Sequence, residues 1–133
     1  MSINFEGKVA IVTGAGNGLG RSHALALAER GAKVVVNDLG GARDGTGASS
    51  DAAMEVVGLI EANGGEAIAH GANVAKFDEV QDMVAQAMET WGRVDILINN
   101  AGILRDKSFS KMDLADFQLV MDVHLMGSVN CTK

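Results

Sequence analysis

With 133 residues, 47% of them hydrophobic and 21% charged, the chain has the content for one cored domain and is too apolar for a disordered segment. Its single Cys131 rules out an internal disulfide, and a net charge of −6 argues against nucleic-acid or anionic-membrane partners. The opening MSINFEGK lacks the apolar centre of a signal peptide, and VAIV, VVV and ILI fall far short of the ~20 residues of a membrane span. A soluble protein of a reducing, cytoplasmic-type compartment is therefore expected.

In chain order, a Val-rich strand over residues 9–13 runs into Thr13-Gly14-Ala15-Gly16-Asn17-Gly18-Leu19-Gly20, and an Ala/Leu-rich helix follows over 18–30, closed by Gly31. Glycines between a strand and a helix allow a tight turn and bring backbone N–H groups to a ligand's phosphates at the positive end of the helix. The spacing is T-G-x-x-x-G-x-G. It is not G-x-G-x-x-G, because Leu19 stands where that pattern needs its third glycine. Gly14, Asn17, Gly18, Leu19 and Gly20 are thus candidate cofactor contacts, with a purely structural turn as the alternative.

A second strand over 33–37 leads to Asp38. A carboxylate there can accept hydrogen bonds from both ribose hydroxyls and repels a 2′-phosphate, so NAD is expected over NADP. Leu39 offers no compensating cation, whereas Arg43 in the Gly-rich loop 39–48 keeps the alternative open. A helix over 49–63 stops at Gly64-Gly65, and a weaker strand over 66–69 precedes Asn73-Val74. The clearest helix spans 76–91, with Phe77, Val80, Val84, Ala87, Met88 and Trp91 as its apolar stripe and Gly92 as its stop. A strand over 94–99 ends in Asn99-Asn100-Ala101-Gly102, and a last helix runs from Asp113 with Leu114, Phe117, Met121 and Leu125 on one side. The alternation predicts an α/β fold: a Rossmann-type, doubly wound parallel sheet of four strands with flanking helices.

Taken together, Thr13 to Gly20, Asp38 and Asn99 to Gly102 resemble the short-chain dehydrogenase/reductase family along the whole chain. The resemblance sharpens toward the (3R)-hydroxyacyl-CoA dehydrogenase unit of multifunctional enzymes and its bacterial relatives at VVNDLGG (35–41), GILRDKSF (102–109) and VHLMGS (123–128). It implies a sheet order of 3-2-1-4, with hydride transfer between NAD and a secondary alcohol or ketone of the 3-hydroxyacyl-CoA class. It also implies a homo-oligomer at full length, in the cytoplasm, or in peroxisomes of a eukaryote.

By the same resemblance, Asn99, Asn100, Ala101 and Gly102 steady the central sheet beside the adenosine. Asn73 and Val74 stand where the family has Asp-Val against the adenine. Asn73 is a departure, and its amide oxygen can still accept from the adenine amino group.

His124 occupies the place where most members have an Asn that holds a proton-relay water, and it is the catalytic candidate; a helix-core histidine is the alternative. His23 and His70 read as surface or packing residues, and the scattered methionines as core filling. No Cys/His cluster suggests a metal.

The family's general base is a Tyr in a Tyr-x-x-x-Lys, preceded by a Ser, on later elements. The chain has no Tyr, so residues 1–133 are expected to be the N-terminal, NAD-binding part of a single dehydrogenase domain, inactive by itself. A non-catalytic dinucleotide module is the second reading. An S-adenosylmethionine-dependent methyltransferase is the third, weakened because Val12 stands where that motif carries an acid.

Overall fold

The Val-rich runs pair as predicted, because strands apolar on both sides must be covered on both sides. The computed structural model describes residues 4–16, 18–38, 51–101 and 114–132, and within its helices not the side chains of Asp51, Asp116, Phe117, Leu119, Val120 and His124. Strands β1 (Val9–Val12), β2 (Lys33–Asn37), β3 (Ala67–His70) and β4 (Ile96–Ile98) form one parallel sheet in the order β3-β2-β1-β4. Val9 pairs with Lys33, Val34 with Ala67 and Ala10 with Ile96.

Side chains alternate between two cores. Val12, Val34 and Val36 pack under α1 (Gly18–Glu29) and α2 (Asp51–Ala62), with Ala24, Val56 and Ile60 facing them. Ile11 and Val35 face the other way, against Val80, Met83 and Ala87 of α3 (Phe77–Trp91). Val123 and Cys131 join this second core. They come from a continuous helical stretch made of α4 (Leu114–Met121), a π-helical segment (Asp122–Met126) and α5 (Gly127–Thr132).

Several expectations shift in detail. The stripe of α3 turns inward on Val80, Met83 and Ala87, while Phe77 and Met88 stay exposed. Residues 80, 83 and 87 keep the three-and-four spacing, so the helix has simply rolled by part of a turn. Met83 is a core residue, but Met54, Met88, Met121 and Met126 are exposed, so core filling accounts for few of the methionines described. β4 is half-buried throughout, and among the described residues it pairs with β1 alone. Gly92 takes the left-handed φ of 76° and its N–H closes α3 on the Met88 carbonyl, as expected of a helix stop. Among the described residues no helix is long and apolar enough to cross a membrane.

The chain moves outward from β1 to β3, then returns to place β4 on the other side of β1. The carboxyl ends of β1 and β4 therefore flank a switch point, where open α/β sheets bind ligands.

Candidate functional site

Thr13 is the first residue past β1 and is fully buried. Its hydroxyl accepts the Asn100 and Ala101 N–H groups at 3.0 Å each and donates to the Ile98 carbonyl at 3.3 Å. That uses both lone pairs and the proton, so one side chain fastens the end of β1 to the turn after β4. Asn100 returns the connection, its amide donating to the Gly14 carbonyl at 3.2 Å.

The glycines of the turn then have separate reasons. Gly14 has φ +63°, and a Cβ there would stand 2.9 Å from the Ala101 Cα. A Cβ on Gly20 would strike the Gly14 carbonyl. On Gly16 it would lie 2.5 Å from Asp38 Oδ2 and 2.8 Å from the Ala52 Cβ. Gly18 differs: its φ is +58°, a Cβ would meet nothing within 4 Å, and it opens α1 on the exposed side. Leu19 beside it is 72% exposed, an apolar side chain placed at the mouth of the turn and not in the core.

Asp38 leaves β2 directly opposite. Its Oδ2 accepts the Gly16 N–H at 2.8 Å, and the Asn37 carbonyl accepts the Ala15 N–H at 2.8 Å. The acid is therefore held against the glycine turn by main-chain donors.

Asn73 and Val74 follow β3 at the same end of the sheet. The Asn73 amide oxygen accepts the Ala75 N–H at 3.0 Å, a local turn that leads into α3 and favours a structural share in its role. Val74 is buried; its carbonyl accepts the Asn130 amide at 2.9 Å, and a Cβ on Gly127 would lie 2.6 Å from its Cγ2. Asn99 is exposed and donates to Thr132 Oγ1 at 3.1 Å, turned toward α5.

The structure thus gathers Gly14, Gly18, Leu19, Gly20, Asp38, Asn73, Val74, Asn100 and Ala101 at the carboxyl edge, with Asn99 beside them. Asn17, Gly102, Leu39 and Arg43 lie outside the described residues. The backbone of His124 belongs to the π segment, where the Gly127 N–H reaches back to the Asp122 carbonyl; its side chain is also outside the description. Such π turns inside helices are frequent at functional sites.

Two residues escaped sequence reasoning. Thr13 was legible only as a motif letter, although its hydroxyl makes three bonds. His70, read as a surface or packing residue, bonds at both ring nitrogens, to the Ala72 N–H at 3.1 Å and to Asp82 Oδ2 at 2.7 Å. A histidine at the end of a strand signals neither bond in advance.

A family model for short chain dehydrogenases matches residues 8–133. The chain belongs to the short-chain dehydrogenase family. It is 55% identical over 131 residues to the peroxisomal multifunctional enzyme type 2 of Drosophila melanogaster, covering 98% of this chain and 21% of that protein. A 3-oxoacyl-[acyl-carrier-protein] reductase of Synechocystis is 49% identical, over 95% of this chain and 48% of the reductase. Among solved structures, a short chain dehydrogenase from Mycobacterium paratuberculosis bound to NAD superposes with a TM-score of 0.88 at 33% identity, covering 96% of this chain and 48% of that one. This short-chain dehydrogenase chain therefore spans half or less of the length of these relatives. Membership removes the methyltransferase reading, already weakened by Val12.

Proposed function

We propose that this chain is the dinucleotide-binding part of an NAD-dependent oxidoreductase acting on a secondary alcohol or ketone, with a 3-hydroxyacyl-CoA as the substrate class. The observation that carries the cofactor reading is Asp38, whose carboxylate is bonded to the Gly16 N–H at 2.8 Å across the turn that opens α1. The residues present fit a dinucleotide. A side chain at Gly16 would fill the space beside the acid, and Gly18 offers backbone at a positive helix end to a pyrophosphate. Asp38 accepts from ribose hydroxyls and repels a 2′-phosphate. When bound, the nicotinamide supplies the hydride donor or acceptor.

The NAD named for the M. paratuberculosis structure supports the choice of cofactor, and the 3-oxoacyl substrate named for the Synechocystis reductase supports the acyl class. CoA as the carrier, a homo-oligomeric whole protein, and a cytoplasmic location (peroxisomal in a eukaryote) are part of this proposal on the family resemblance of the sequence, and the peroxisomal name of the Drosophila relative supports the last of them. His124 belongs to this reading as the residue in the proton-relay position.

The test is kinetic and uses the full-length protein with 3-hydroxyacyl-CoA and either NAD+ or NADP+, beside fluorescence titration with NADH and NADPH. NAD is expected to be preferred, and Asp38→Ala to weaken NADH selectively and narrow that preference. Equal catalytic efficiency with both cofactors in the unmodified protein would overturn the assignment of Asp38. His124→Asn is expected to keep much of kcat and His124→Leu to lose most of it. An unchanged kcat in the Leu variant across pH would make the residue packing only.

A further inference from the structure

The turn from β3 into α3 is closed by side chains that take up backbone donors. The Ala72 N–H donates to His70 Nδ1 at 3.1 Å, the Asn73 N–H to Glu79 Oε1 at 3.1 Å, and the Ala75 N–H to Asn73 Oδ1 at 3.0 Å. A ring nitrogen that accepts carries no proton, so the hydrogen of His70 sits on Nε2, which faces Asp82 Oδ2 at 2.7 Å. The same turn is gripped from the other side. The Asn37 amide, buried at the end of β2, donates to the carbonyls of His70 and Ala72 at 3.0 Å each, and the Asp38 N–H donates to the His70 carbonyl at 3.2 Å. Residues 70–72 and the end of β2 are thus one hydrogen-bonded unit, and its last member carries the carboxylate that meets Gly16.

We propose that His70 is a positioning residue for the adenosine end of the dinucleotide site: its Nδ1 closes the 70–72 turn onto Asn37 and so sets Asp38 against Gly16. The inference rests on the dinucleotide reading above and adds a residue that does not touch the cofactor. What position 70 requires, on this account, is an acceptor in the place of Nδ1, not an imidazole. Asn offers one, since its amide oxygen readily takes the N–H two residues on. Phe fills a similar volume and offers none.

In the full-length protein, long-range 1H–15N NMR is expected to show His70 as the Nε2–H tautomer. His70→Phe should raise the NADH dissociation constant and the KM for NAD about three- to tenfold, the worth of one lost hydrogen bond, with kcat unchanged. His70→Asn should stay within about twofold of the parent, since the acceptor is kept. Unchanged NADH binding in the Phe variant overturns the proposal, as does an Asn variant as weak as Phe, or a proton found on Nδ1. Should the Phe variant fail to fold, the Asn variant and the tautomer still decide. An unmodified protein that shows the Nε2–H tautomer yet binds neither NADH nor NADPH overturns the dinucleotide reading itself, an outcome distinct from a failure at position 70.

Discussion

The two ends of the sheet are built differently. At the amino ends the bonds run mainly between side chains at the surface: Arg93 with Asp95 at 2.6 and 2.7 Å, Lys33 with Glu66 at 3.9 Å, and the Trp91 indole N–H with Glu66 at 3.2 Å, with Asp95 also accepting the Val9 N–H at 2.9 Å. At the carboxyl ends, apart from the His70–Asp82 and Asn99–Thr132 pairs, side chains bond mainly to backbone: Thr13 to the Asn100 turn, Asn37 to the His70 and Ala72 carbonyls, Asp38 to Gly16 and Asn100 to Gly14. Exposed ion pairs are screened and contribute little, whereas a part-buried backbone group that loses its partner is costly. The end that must hold main chain still beside a ligand is the end where side chains fix main chain.

That contrast can be broken most severely at Gly20. Valine there would drive a side chain into the Gly14 carbonyl, which is backbone and cannot yield, and into the Asn100 amide bonded to it. Urea unfolding should show a loss of about 3 kcal/mol or more, or no folded protein. Thr13→Val comes next. It keeps the shape but leaves the Asn100 and Ala101 N–H groups without their acceptor, and a loss of about 2–3 kcal/mol is expected, with weaker NADH binding. A loss below 0.5 kcal/mol would mean that water replaces the hydroxyl and that the carboxyl end is no better fixed than the other (an exposed pair is worth ~0–1 kcal/mol).

Gly18→Val sharpens the comparison from within the same turn. A Cβ meets no atom there, so only the left-handed backbone is penalised, by about 1–2 kcal/mol. On the proposed dinucleotide reading, helical circular dichroism should survive while NADH binding is lost, because the added side chain would stand between the backbone and the phosphate. Undiminished binding would make Gly18 a purely structural residue.

What was legible in the sequence follows the same division. The alternation of strands and helices and the glycine stop at Gly92 agree with the pattern, since strand type, helix period and turn residues are local signals, whereas the sheet order agrees with what the family resemblance implied. Gly14, Gly20 and Asp38 were legible because the family spacing places them along the chain. Thr13 and His70 were not. The partners of Thr13 lie 87 and 88 residues away, and His70 matters through carbonyls that Asn37 reaches from a neighbouring strand. The roll of α3 onto Met83 was equally hidden, because Met83 and Met88 are alike as letters and only the sheet beneath chooses between them.

The smallest effect belongs to the amino end and concerns pH. The Asp95 carboxyl is pushed down to about 2, first by the Arg93 guanidinium bonded to both its oxygens and then by the Val9 N–H at 2.9 Å. An unfolded Asp titrates near ~3.9, so the folded state favours the ionised form. The resulting stabilisation is complete above that value, is lost as pH falls through the window toward about 2, and is absent below it. Removing Arg93 deletes the larger cause. In Arg93→Ala, carboxyl NMR titration should move Asp95 back toward the ordinary range, stopping short of it because the Val9 amide remains. Unfolding at neutral pH and NADH affinity should both be nearly unchanged, since the pair is exposed and lies at the opposite end of the sheet from Asp38. A titration still centred at about 2 would assign the shift to the Val9 amide, a backbone lock of the kind that marks the carboxyl end. The two ends would then differ in exposure alone, and not in how they are bonded.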